Sequence, residues 1–259
     1  MTAFLATVTL LGGLAALESL MHGMSGLSAD FLLLLVFACV AAPHTLNLGH
    51  NARISTLQPF LLCAIALFGV KEAVLLAAIS MVYFWIVGRP RLQAHKGLFN
   101  VCNFVLSAWL GGQVYYASGG RAGDVTSSAS LLALLLCVLI FFVVNTVLVS
   151  IAVGLEQKID PFRVWYEKYS WTINSQLAGA SLVILIGVLR QHYGLQVFFL
   201  WVPFCLMTYH FYKAYFPRSA QRAASRSEAT FACSRSRRAH STVPHISRNG
   251  TAESAGYAR

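Results

Sequence analysis

Charge is what this chain has least of. Asp, Glu, Lys and Arg make up 11% of its 259 residues, against roughly 25% in ordinary soluble domains. That scarcity, with 57% hydrophobic residues and a mean hydropathy of +0.65, excludes a water-soluble globular domain as the main body of the protein. Paired cysteines are absent as well. No C-x-x-C occurs, and Cys39, Cys63, Cys102, Cys137 and Cys205 all fall inside apolar stretches. Neither a disulfide framework nor a zinc site is indicated, and the cysteines read as small apolar residues. Also missing are H-E-x-x-H, G-x-S-x-G, a P-loop and G-x-G-x-x-G, so no enzyme activity and no cofactor is expected.

What the chain has instead is long apolar runs. The stretch Leu131 to Leu155 carries no charged residue over 25 positions, more than a ~30 Å hydrocarbon core requires at about 1.5 Å per residue. The runs are continuous, not alternating, and in lipid a helix satisfies its own backbone groups. The expected class is therefore all-α, a polytopic membrane bundle of about eight transmembrane helices. Their approximate bounds are 3–20, 30–42, 57–68, 73–87, 98–117, 131–155, 173–189 and 197–212. The first run lacks the basic start and small-residue cleavage site of a signal peptide, and Glu18 and His22 follow it, so retention is expected. The second to fourth runs are short for full spans.

Domain organisation follows composition, with a transmembrane domain over 1–216 and a disordered basic tail over 217–259. The tail holds no Leu, one Val and one Ile, with Arg222, Arg226, Arg235, Arg237, Arg238 and Arg248 among its arginines. Such a segment cannot bury enough apolar surface to offset its chain entropy. It also accounts for most of the formal net charge of +10, because residues 1–217 carry eleven Lys and Arg against seven Asp and Glu. Basic residues beside a membrane set topology or meet anionic lipid, so nucleic acid is not an expected partner and the lipid bilayer is.

Loop charges give an orientation. With the C-terminus inside, the inner loops hold Arg53, then Arg89, Arg91 and Lys96, then Lys158, Arg163 and Lys168; the outer loops hold Lys71, Arg121 and Arg190. This asymmetry follows the positive-inside bias and places both termini in the cytoplasm. The loop from Glu156 to Trp171 mixes charges with Phe162, Trp165, Tyr166, Tyr169 and Trp171, the composition of a stretch at the headgroup level.

Polar residues within the runs are the candidate site. Asn100, Asn103 and Ser107 share one helical face, Asn145 lies deep in the longest run, and Asn174 opens the seventh helix beside Ser175 and Gln176. Such amides either tie helices together by hydrogen bonds or line a cavity for a small polar ligand. His44 and His50 flank a polar segment without a carboxylate or Cys placed beside them, and His210 sits among Tyr209, Tyr212 and Tyr215. No metal site is expected from either group.

Residues 53–117 carry three features in order: Ser55-Thr56 opening a helix that ends in Phe68-Gly69; Lys71-Glu72-Ala73 starting a helix that closes in a basic loop; and Leu98-Phe99-Asn100 opening a helix with Asn103 and Ser107. This pattern resembles the N-terminal multi-helix membrane sensor region of bacterial signalling proteins whose cytoplasmic output is an HD-GYP phosphodiesterase or a GGDEF cyclase acting on cyclic di-GMP. The similarity covers most of residues 30–216. It implies a signal-input module in the bacterial cytoplasmic (inner) membrane, acting through a separate output protein or as a homodimer. The chain departs from that family after Tyr215, where no G-G-D-E-F and no H-D pair occurs. The tail composition also fits a frameshifted or truncated reading frame. A small-solute uptake component of a vitamin-type transporter is the alternative function, and a structural membrane subunit a further one.

Overall fold

The computed structural model describes residues 1–21, 28–43, 46–47, 53–54, 57–88 and 93–200. The chain divides into two units, Met1–Lys213 and Ala214–Arg259, and all described residues lie in the first. Among the described residues eight α-helices follow in order: α1 (Thr2–Met21), α2 (Ala29–Ala41), α3 (Gln58–Leu67), α4 (Val70–Tyr83), α5 (Ala94–Ala117), α6 (Ser128–Gln157), α7 (Pro161–Lys168) and α8 (Ile173–Tyr193). A π turn, Phe84–Gly88, extends α4, and a 3-10 segment, Gly194–Leu200, follows α8. Two two-residue strands pair antiparallel, Leu46 with Ile54 and Asn47 with Arg53. The class is helical. His44, His50, His210, the tail and all but the first residues of the expected helix over 197–212 lie outside the described residues.

Local chemistry explains the helix ends. The Ser28 hydroxyl accepts the Phe31 N–H at the start of α2, and the Ser127 hydroxyl accepts the Ser130 N–H at the start of α6. Asp160 accepts from Phe162 and Arg163, with Pro161 in the first helical position of α7. Gly69, at φ +143°, makes the sharp reversal between α3 and α4 that an L side chain resists. The sequence placed 156–171 in a loop; its Asp-Pro start instead opens α7. This helix folds back on α6, with Pro161 against Gly154 and the Trp165 ring 6.2 Å from that of Phe142.

One helix organises the rest. Every side chain of α3 except that of Pro59, which is half-buried, is buried, Phe60 to Ala66 being at most 1% exposed. At ten residues α3 is about 15 Å long, half of a ~30 Å hydrocarbon core, and α2 at thirteen residues is about 20 Å. The start of α2 meets the end of α3. The Phe31 and Phe68 rings pack edge to face at 5.7 Å, and Arg190 at the end of α8 pairs with Asp30 at 2.6 Å while stacking 5.6 Å over the Phe68 ring. The same end is closed by Tyr116, whose hydroxyl donates to the Ile65 carbonyl, and by the Gly123 N–H, which donates to the Ala66 carbonyl. These bonds satisfy carbonyls that the C-terminus of a short helix leaves open. Lys96 and Glu156 pair at the opposite end of the bundle.

Around α3 the longer helices pack closely through glycine. Gly12 of α1 lies so near α5 that a Cβ there would sit 2.7 Å from the Cys102 Cβ. Gly112 of α5 accommodates Val70 of α4, and Gly179 of α8 accommodates Pro59 of α3. Small residues at such crossings permit the van der Waals contact that holds membrane helices together, since apolar burial gives no advantage over lipid. Among the described residues three helical stretches, Thr2–Met21, Val70–Val87 and Ser128–Gln157, are long and apolar enough to cross a membrane. Their outer flanks, including Leu10, Leu14, Ile79, Leu132 and Leu139, are exposed apolar side chains, as lipid contact requires.

Candidate functional site

Asn103 and Ser107 lie on the face of α5 turned toward α6, and both are at most 1% exposed. The Asn103 amide Nδ2 donates to the Asn145 Oδ1 at 2.5 Å and approaches the Asn145 carbonyl at 3.4 Å. The Ser107 hydroxyl donates to the Asn103 carbonyl at 2.7 Å, one turn back along its own helix. The structure thus brings Asn103, Ser107 and Asn145 together. It does not bring in the other two. Asn100 is half-buried one turn away on α5, and Asn174 is exposed on α8.

The next residue of α6 is held from another side. The Thr146 hydroxyl donates to the Phe142 carbonyl at 2.6 Å and accepts the Trp165 indole N–H at 2.9 Å. Adjacent residues on a helix point about 100° apart, so at this one level α6 is gripped by α5 through Asn145 and by α7 through Thr146. Sequence reasoning missed the second grip. Its signal was a Trp between Val164 and Tyr166 in a segment already flagged as aromatic.

Electrostatically the centre is neutral. Asn103, Asn145, Ser107 and Thr146 offer donors and acceptors but no titratable group, so the arrangement can orient helices or bind an uncharged polar group. One buried atom, the Asn103 Oδ1, has no hydrogen-bond partner, leaving the cluster an acceptor to spare. Among the described residues no three His, Cys, Asp or Glu side chains gather in a way that could hold a metal. A groove of about 460 Å³ between α1 and α5 is lined by Leu11, Leu14, Leu17, Leu106 and Trp109 with Glu18; its walls suit acyl chains, not a polar solute.

In the loop between α5 and α6, Asp124 accepts from the Thr126 N–H and hydroxyl and the Ser127 N–H, and these bonds hold its carboxyl down at about 2. Val125 of the same loop is buried against Gly187 of α8, so the loop is tied into the bundle.

No curated protein and no solved structure matches the chain. The family model MASE9, describing a membrane-associated sensor domain, matches residues 16–215. That range takes in α2 to α8, the Asn103–Asn145 contact and the Asp30–Arg190 pair. Over well beyond half its length, this chain belongs to the MASE9 family of membrane-associated sensor domains.

Proposed function

We propose that the protein is a signal-input module of the bacterial inner membrane that acts on a separate output protein, with cyclic di-GMP turnover as the output class. Membership of a sensor family across 16–215 is the observation that carries this reading. Its support within the chain is the pattern over residues 53–117, which resembles the sensor regions of cyclic di-GMP signalling proteins. The signal would shift the packing of α5, α6 and α7, because Asn145 and Thr146 couple those three helices at one level. Homodimers are the form in which such a module would present two cytoplasmic ends to a partner.

The topology that goes with this reading has both termini inside, the Lys96–Glu156 end cytoplasmic and the Asp30–Arg190 end outside. In it α2 and α3 together leave and return to the outer side as two short helices, so the loops after α3 keep the sides they would have with eight crossings. Reporter fusions should place the loop around Arg121 outside and that around Arg91 inside; the reverse at both would overturn this topology. The function is tested by expressing the chain in cells deleted for it and measuring cyclic di-GMP. A severalfold change that Asn103→Leu abolishes is the expected result. Levels independent of the chain under every growth condition would remove the cyclic di-GMP output.

A further inference from the structure

Helix α3 begins inside the bundle. Its last residue lies next to Phe68, level with Asp30 and Arg190, and its ten residues reach about 15 Å from there, to near the middle of a ~30 Å core. α8 runs parallel to it. Gly179 faces Pro59 near one end of the contact, where a Cβ would lie 3.1 Å from the proline ring, and Arg190 stands over Phe68 near the other. Gln176 therefore sits one turn before Gly179 on the same face of α8, at the level where α3 starts with Gln58.

Both glutamines are buried, Gln58 at 6% exposure and Gln176 at 5%, and each keeps one amide atom without a partner. The two atoms are complementary: a donor, Nε2, on Gln58 and an acceptor, Oε1, on Gln176. Leaving either unpaired in a low-dielectric setting forfeits its hydrogen bonds to water without replacement, so a partner that satisfies both is strongly selected. Neither α3 nor α8 before Arg190 carries a charge, which disfavours an ion there.

We propose that Gln58 and Gln176 form a binding site, at the inner start of the half-length helix α3, for a small neutral solute bearing adjacent acceptor and donor groups, such as a primary carboxamide or urea. The Gln58 Nε2 donates to the carbonyl oxygen of the solute, and an N–H of the solute donates to the Gln176 Oε1. This site is distinct from the Asn103–Asn145 contact and independent of which output the module serves. Short helices that end near the midplane, with polar groups at the break, are a form that membrane proteins use to hold solutes away from bulk water.

The full chain in lipid nanodiscs is tested by saturation-transfer NMR with acetamide, and with N,N-dimethylacetamide, which has the acceptor but no N–H. Acetamide should receive saturation and bind at least about fivefold more tightly than its dimethyl analogue, the value of one hydrogen bond. Gln58→Met and Gln176→Met should each weaken acetamide by about the same factor. Equal binding of the two probes, no binding of either, or variants that bind acetamide like the parent would overturn the proposal. So would single variants that melt lower and a double variant that recovers, with no effect on acetamide, because the two amides would then serve only each other. Should a variant fail to fold, the comparison of the two probes on the parent chain still decides.

Discussion

Replacing Asn103 by Leu tests what the α5–α6 contact contributes. The substitution keeps side-chain size roughly constant, so packing changes little and the polar terms dominate. The 2.5 Å bond to the Asn145 Oδ1 is lost; interhelical bonds of this kind in membranes average about 0.6 kcal/mol and reach about 1.7. Asn145 is only half-buried, so leaving it unpaired adds about 1 kcal/mol, near the low end of the range for an orphaned amide. Against these stands the relief of the Asn103 Oδ1, which is buried without a partner and whose removal returns about 1 kcal/mol. The net expectation is a loss of about 1 kcal/mol for Asn103→Leu, a similar loss for Asn145→Leu, and close to none for the double replacement. Reversible unfolding in mixed detergent micelles measures all three. If the double variant falls by the sum of the single ones to within about 0.3 kcal/mol, the two amides are uncoupled and the contact is not a clamp.

Three further outcomes follow from other contacts. Gly12→Ala should lower stability by about 1–3 kcal/mol because its Cβ would press on the Cys102 backbone, whereas Gly13→Ala, with nothing within 4 Å, should be neutral; equal melting shifts would refute close α1–α5 packing. Thr146→Val removes the acceptor of the Trp165 indole, so it should cost about 1 kcal/mol and speed proteolysis around Lys158, while Thr146→Ser should not. With its carboxyl held at about 2, below the usual ~3.9, Asp124 contributes stability that is present above pH ~3.9 and lost as pH falls through about 2. Hydrogen exchange at the Thr126 and Ser127 amides should therefore quicken between pH 4 and 2 more than the chemistry of exchange alone accounts for, and Asp124→Asn should abolish that extra change.

The helices were legible because their boundaries are written in charge and caps. α6 was expected over 131–155 and spans Ser128–Gln157; the reversal at Gly69 was visible in Phe68-Gly69-Val70-Lys71-Glu72. The faces were harder. In a membrane bundle both the lipid side and the packed side of a helix are apolar, so periodicity does not say which points inward. Asn103 and Ser107 could be assigned to one face because two polar residues one turn apart define a direction. At the start of α8, Asn174 and Gln176 stand about 200° apart, and the sequence favoured the first, which is exposed, over the second, which is buried. Trp165 was read as a ring at the surface, since nothing local to it reveals that Thr146, nineteen residues earlier, supplies an acceptor.

The burial of α3 has a consequence for how the protein is made. A segment of ten residues is too short to partition into a bilayer as an independent span, and every side chain of α3 but the half-buried Pro59 is enclosed by protein. Its place must be created by α4, α5 and α8, all of which follow it along the chain. α8 is synthesised more than a hundred residues after α3. Until it arrives, Pro59 lacks the Gly179 surface it rests on, and Phe68 lacks the Arg190 guanidinium above it. Assembly at the centre of this bundle is thus completed by its last described helix. Substitutions in α8 should accordingly affect the yield of membrane-inserted protein more than equally disruptive ones in α1, which packs against α4 and α5.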